Sequence, residues 1–310
     1  MSTEVVVPKV LKTTHSQKNY GISIVNAEDF WQEGYKGQGV NIAVIDSGCD
    51  YHEELNRNII DVFNLTTDDN GNLNVVTDHY GHGTHVAGII AATNESNLIG
   101  IAPEANLVII KVINQQGNSD AQTLIKGIEL ALNWRGKNGE KIDIINLSLG
   151  SKKDNEELRN VIKFAVSQNV FIVTAAGNEG DGSDITDELS YPGFYEEVIQ
   201  IGAIDEEFRL AKFSNTNSTI DYLSPGDKIF STYKDNTYQT LSGTSMAAPQ
   251  ASGAIALLLS YLKSNNIDYT QELVDLYLRL NAIELSGYSE KAQGKGVLHL
   301  NKMVGEEDGS

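Results

Sequence analysis

The sequence predicts an α/β fold with a central parallel sheet and helices on both faces. Three observations carry this expectation. Short β-branched runs recur at 40–46, 107–112, 142–147, 170–174 and 198–204. The stretches 121–134 and 156–168 have helical spacing, with Leu124, Ile128 and Leu132, then Leu158, Ile162 and Ala165, on one face. No Pro- or Ser-rich linker divides the 310 residues. Strand and helix signals that alternate in this way imply right-handed crossovers and a doubly covered sheet.

Each element then has its own justification. The run 40–46 ends in Asp46-Ser47-Gly48. This reads as a buried parallel strand with Asp46 at its carboxyl end, where open α/β sheets place their crevice. A turn aspartate capping nearby N–H groups fits Asp46 equally well. Next, Gly81 to Gly88 opens a helix of small residues. Such a helix packs close to its neighbour, which holds His82 rigidly near the sheet; a packed histidine without chemistry is the competing reading. The 142–147 run leads into Ser148-Leu149-Gly150. The 170–174 run leads into Ala175-Ala176-Gly177-Asn178-Glu179-Gly180. Near the end, Leu241-Ser242-Gly243-Thr244-Ser245-Met246-Ala247-Ala248-Pro249 delivers a serine from a glycine turn into a long apolar helix, reaching about Lys263. Taken alone, Ser245 also reads as a helix cap. A last helix is expected at about 271–280.

Composition excludes several classes. The formal net charge is −19, with 42 acidic against 23 basic residues. That argues against nucleic acid and anionic membrane as partners. No run is long and apolar enough to span a bilayer, and the first residues lack a basic region followed by an apolar core. The single cysteine, Cys49, rules out an intrachain disulfide. A cytoplasmic protein is therefore expected. Cys49 reads as a small buried hydrophobe, with thiol reactivity near Asp46 as a side hypothesis.

Asp46, His82 and Ser245 make chemical sense together. A serine hydroxyl is a poor nucleophile until an imidazole takes its proton. The imidazole in turn needs a carboxylate to fix its tautomer and stabilise its charge. A helix N-terminus beside the serine favours a developing oxyanion. In chain order the three run Asp, His, Ser. The motifs Val-Ile-Asp46-Ser-Gly, Gly-His82-Gly-Thr-His-Val-Ala-Gly, Ala-Ala-Gly-Asn178-Glu-Gly and Gly-Thr-Ser245-Met-Ala-Ala-Pro resemble those of subtilisin-like serine proteases. The segments Asp46-Ser-Gly-Cys49-Asp50 and Asn178 to Pro192 resemble the intracellular branch found in bacilli. The resemblance covers about Gln17 to Leu300.

That resemblance implies a serine endopeptidase of broad specificity acting on protein or peptide substrates. Asp46, His82 and Ser245 would be its triad and Asn178 its side-chain oxyanion donor. Ser148, Leu149 and Gly150 would pair with extended substrate, opposite a pocket wall of Ala175, Ala176 and Gly177. It also implies a calcium site from Gln17, Glu54 and Asn94, although Glu54 stands where an aspartate is usual and the loop at 93–98 is short. Asp181, Asp184 and Asp187 suggest a second, weak cation site, whereas Asp68 to Asn72 reads as a bare turn. Zinc through His79, His82 and His85 is disfavoured, because position 83 is glycine where a His-Glu-x-x-His helix needs glutamate.

The domain reading follows. Residues 1–13 would form an inhibitory leader, so that the enzyme is made as a zymogen, with 14–304 the peptidase domain and 305–310 a flexible acidic tail. Val6-Val7-Pro8-Lys9 resembles the leader motif of the intracellular branch, with lysine in place of an aromatic. A loose terminus is the plainer alternative. The segment 294–300 resembles the element through which intracellular members pair, so a homodimer is expected; an apolar strand there can also cap its own sheet. Rival functions are a dedicated peptide-processing protease, such as a bacteriocin leader peptidase, and a catalytically silent binding scaffold.

Overall fold

A computed structural model describes residues 4–7, 11–13, 19–96 and 98–302. Its elements, in chain order, begin with strands β1 (Glu4–Val6) and β2 (Leu11–Thr13), helices α1 (Gly21–Val25) and α2 (Ala27–Gln32), and strands β3 (Asn41–Asp46) and β4 (Ile59–Asn64). There follow α3 (His82–Ala91), β5 (Asn106–Lys111), β6 (Asn118–Asp120), α4 (Ala121–Asn133), β7 (Ile144–Leu147), α5 (Glu156–Ser167) and β8 (Phe171–Ala175). The chain continues with β9 (Ile199–Ile204), β10 (Tyr222–Pro225), β11 (Ile229–Tyr233), β12 (Thr237–Ser242), α6 (Thr244–Ser264), α7 (Gln271–Asn281) and α8 (Glu290–Gln293).

The central sheet has the order β10-β9-β8-β7-β3-β5-β4, and all its pairs are parallel. The five β-branched runs of the sequence are its inner five strands. Pleating sends alternate residues to opposite faces. Ile42 and Val44 of β3 join the core shared with α3 and α6, while Ala43 and Ile45 join the core shared with α4 and α5. The edge strands β4 and β10 were not expected from sequence. A three-stranded antiparallel sheet, β11-β12-β2, and the antiparallel pair β1-β6 lie outside the main sheet.

After β3 the chain runs out to β4, returns through α3 to β5 beside β3, and then crosses to β7 on the other side of β3. This reversal opens a crevice at the carboxyl end of β3, where Asp46 sits. Helix α6 is buried from Thr244 to Ser260 and packs against α3. No helix among the described residues is long and apolar enough to cross a membrane. The C-terminal segment caps its own sheet. Leu223 N donates to Gly296 O, Leu298 N donates to Leu223 O, and Val297, Leu298 and Leu300 are buried. The apolar character of 294–300 is thereby accounted for within one chain. The tail 305–310 lies outside the described residues.

Candidate active site

Asp46 ends β3, fully buried. One of its carboxylate oxygens accepts the Ser47 N–H at 2.7 Å. His82 opens α3, and its Nδ1 lies 2.8 and 3.0 Å from the two Asp46 oxygens. Because those acceptors are carboxylate oxygens, Nδ1 carries the proton and Nε2 is the basic nitrogen. Nε2 is buried and has no hydrogen-bond partner among the described residues.

The start of α3 is held by a residue that sequence reasoning missed. Asp78, buried, accepts from Gly81 N at 2.7 Å, from Thr84 N at 2.8 Å, and from the hydroxyls of Thr84 and Ser47 at 2.6 and 2.8 Å. It thus satisfies N–H groups that a helix start leaves without partners. Ser47 Oγ in turn accepts Gly83 N at 2.9 Å, tying the residue after Asp46 to the residue after His82. Burial raises the Asp78 carboxyl above its ordinary range against the pull of these donors. Its position four residues before His82 was the one available signal. Also missed was Lys111, opposite Asp46 in β5. It is fully buried and donates to Ser47 O at 2.7 Å, with Asp68 Oδ2 at 3.1 Å.

Ser245 lies in the first turn of α6, where backbone N–H groups have no helical acceptor. Its hydroxyl donates to Met246 Sδ at 3.6 Å, a weak acceptor that costs little to leave. Asn178 follows β8. Its side-chain oxygen accepts from Thr244 N at 2.8 Å and from Thr244 Oγ1 at 2.9 Å. Thr244 Oγ1 also accepts Gly177 N at 3.0 Å. Thr244 therefore fixes which end of the Asn178 amide is the donor, a role that sequence reasoning did not assign.

The substrate-binding residues expected from sequence fall at the carboxyl ends of adjacent strands. Ser148-Leu149-Gly150 follows β7, and Ala175-Ala176-Gly177 ends β8. Asn215 braces the latter, donating to Ala176 O at 2.9 Å and to Glu179 Oε2 at 3.1 Å. Beside Gly150 lies the chain's own N-terminal strand. Val6 and Gly150 exchange backbone bonds of 2.9 and 3.0 Å, and β1 pairs antiparallel with β6. Val5 and Val7 are buried in the α4/α5 core, and β2 pairs with β12, the strand that leads to Ser245. Pro8 and Lys9 lie outside the described residues.

His85 is a structural residue. Its Nε2–H donates to Ile229 O and Gln239 O at 3.2 and 3.0 Å, and burial, with His82 nearby, lowers its pKa to about 3. His79 pairs with Asp69 at the surface at 3.0 Å, so no histidine cluster forms around His82. Cys49 is buried, and burial beside Asp78 pushes its thiol well up, which removes the basis for a reactive thiol.

Of the three residues expected to hold calcium, Gln17 lies outside the described residues. Asn94 is exposed. The Glu54 carboxylate is filled by hydrogen-bond donors: Glu95 N, Ser96 N, Leu98 N and Tyr238 OH at 2.7 to 3.1 Å. Donors aimed inward do not suit a cation that needs converging oxygens. Nor do the three aspartates form a site. Asp181 accepts from Ser183 N, Asp184 from Ser289 N, and Asp187 pairs with Lys291. Among the described residues no group of three or more His, Cys, Asp or Glu could hold a metal.

The class that this fold and site define is a serine peptidase built on a parallel α/β sheet. The chain belongs to the subtilase family, whose sequence profile matches residues 37–305. It is 43% identical over 285 residues to the intracellular serine protease of Paenibacillus polymyxa, covering 90% of this chain and 84% of that protein. It is 46% identical over 245 residues to the major intracellular serine protease of Bacillus subtilis strain 168, covering 78% and 75%. Subtilisin E of the same strain is 40% identical over 243 residues, covering 78% and 61%. The protein is a subtilisin-like serine endopeptidase.

Proposed function

We propose that this endopeptidase works inside the cell, on many protein substrates, through an acyl-enzyme on Ser245, and that its first 13 residues inhibit it. The observation that carries the catalytic reading is the pair of bonds from His82 Nδ1 to Asp46, at the start of a helix packed against the one whose first turn holds Ser245. When the Ser245 hydroxyl turns from Met246 Sδ to His82 Nε2, its proton passes to the imidazole as Oγ attacks the peptide carbonyl. Asp46 orients the ring and stabilises its charge. The tetrahedral oxygen is held by the Asn178 amide and the Ser245 N–H. His82 then gives the proton to the leaving amine, and water repeats the sequence to release the acid. Pairing of extended substrate with Gly150 uses the main chain, which supports broad specificity over a single processing site. Intracellular action rests on the two relatives named for it.

The inhibitory reading rests on β1. Its Val6 pairs with Gly150, at the edge that an extended substrate would use, and β2 pairs with β12, the strand that leads to Ser245. A tethered segment inhibits through its effective concentration, on the order of millimolar, more than through intrinsic affinity. Casein hydrolysis by the full-length chain is expected to show a lag that shortens with enzyme concentration, as mature molecules clip others. A chain beginning at Thr14 is expected to show none. Equal initial rates without N-terminal shortening would make residues 1–13 a loose end. Casein left intact by both would remove the broad-specificity reading.

A further inference from the structure

The loop after α3 is built around an anion. Glu54 has no solvent exposure. Its Oε2 accepts Glu95 N at 2.7 Å, and its Oε1 accepts Ser96 N at 3.0 Å, Leu98 N at 3.1 Å and the Tyr238 hydroxyl at 3.1 Å. Three of these donors come from one short turn, closed at its base by Asn94 N to Leu98 O at 2.9 Å, with Asn94 in the left-handed region at φ 65°. The Glu54 carbonyl anchors the same turn through Thr93 N at 2.9 Å. Successive N–H groups converging in this way form a nest for negative charge. A divalent cation in the same place would face N–H dipoles of the wrong sign, and it would compete with charge-assisted bonds stronger than neutral ones.

Two departures of the sequence from the usual pattern now have one cause. Glutamate is one methylene longer than aspartate, so its carboxylate reaches into the loop. The loop is short, so its N–H groups close on that carboxylate. Tyr238 strengthens the arrangement. Burial and the neighbouring Glu54 raise its hydroxyl to about 12, so it stays protonated and donating.

We propose that the Glu54 carboxylate is the resident ligand of the 93–98 loop, which therefore closes without calcium. Hydrogen exchange at the amides of Glu95, Ser96 and Leu98 tests this in the full-length Ser245→Ala protein, which cannot digest itself. The expected result is slow exchange that agrees within about twofold in excess calcium and in excess chelator. Exchange about tenfold or more faster in chelator would overturn the proposal. Glu54→Gln places an NH₂ group among donors, so these amides are expected to exchange at least about tenfold faster with or without calcium. Wild-type protection of Glu54→Gln restored by calcium alone would also overturn it. If that variant does not fold, the comparison in the unsubstituted loop still decides.

Discussion

Asn178 can donate to an oxyanion only if its amide is the right way round, and Thr244 sets that orientation with two bonds to Oδ1. Asn178→Leu removes a bond made mainly in the transition state, so turnover should fall far more than substrate affinity. Subtilisin is itself the reference case for such a loss, at about 10²–10³ in turnover, and the same order is expected here. Thr244→Val keeps the N–H bond and loses the hydroxyl, so a smaller drop of about tenfold is expected with little change in KM. Steady-state kinetics on a short peptide checks both; a raised KM with unchanged turnover would contradict the oxyanion role. The placement of Asn178, Asp46, His82 and Ser245 at or just beyond the ends of elements was legible in the sequence, because the hydrophobic pattern of those elements is plain. Thr244, Asp78 and Lys111 were not. Their roles depend on partners brought close only by folding: Asn178 for Thr244, Ser47 for Asp78, and Ser47 with Asp68 for Lys111. Spacing along the chain carries no trace of these long-range pairs; only the local bonds of Asp78 to Gly81 and Thr84 left a signal, in its position just before His82.

Helix α3 approaches the β3 turn so closely that a side chain at position 83 has no room. A Cβ on Gly83 would meet Gly48 O at 2.1 Å and Asp46 Cβ at 3.2 Å. Alanine gains about 1 kcal/mol of helix propensity over glycine. A clash with backbone costs about 1–3 kcal/mol or more and moves His82 away from Asp46. The clash should win, so Gly83→Ala is expected to melt at lower temperature and to lose most of its activity. A rise in melting temperature with activity retained would show that the approach is looser than described. Elements legible in the sequence were those buried on both sides, such as β3 and β8, whose residues are all buried. The edge strand β4 escaped because it is half-buried and interrupted by Asp61. Strand β10 escaped because it is four residues long and ends in Pro225. The donor-lined surroundings of Glu54 were not legible for a related reason. Residue type alone cannot say whether a carboxylate faces a cation or a ring of N–H groups.

At the scale of the molecule, both stability and activity depend on how distant segments close on the sheet. Asp221, just before β10, accepts Gln200 N at 2.7 Å, and burial with Asp275 nearby raises its pKa to about 7. The unfolded chain loses this proton near the ordinary carboxylate value, whereas the folded chain keeps it until about 7. Stability should therefore fall as pH rises through that window and then level off. Asp221→Asn keeps the acceptor and removes the charge. It should match the parent near pH 4 and exceed it at pH 8, on the order of 1–2 kcal/mol, since the carboxylate is partly open to solvent. Unfolding of the two proteins in the Ser245→Ala background across this range checks the sign; equal stability at pH 8 would refute it. The central claim is that Asp46 and His82, on elements far apart in sequence, activate Ser245. Its most direct measurement is labelling of the mature enzyme with a fluorophosphonate, read by intact mass and peptide mapping. The account predicts one adduct per chain, on Ser245, with labelling slowed by orders of magnitude in His82→Ala. Labelling at another residue, or at an unchanged rate without His82, would contradict it.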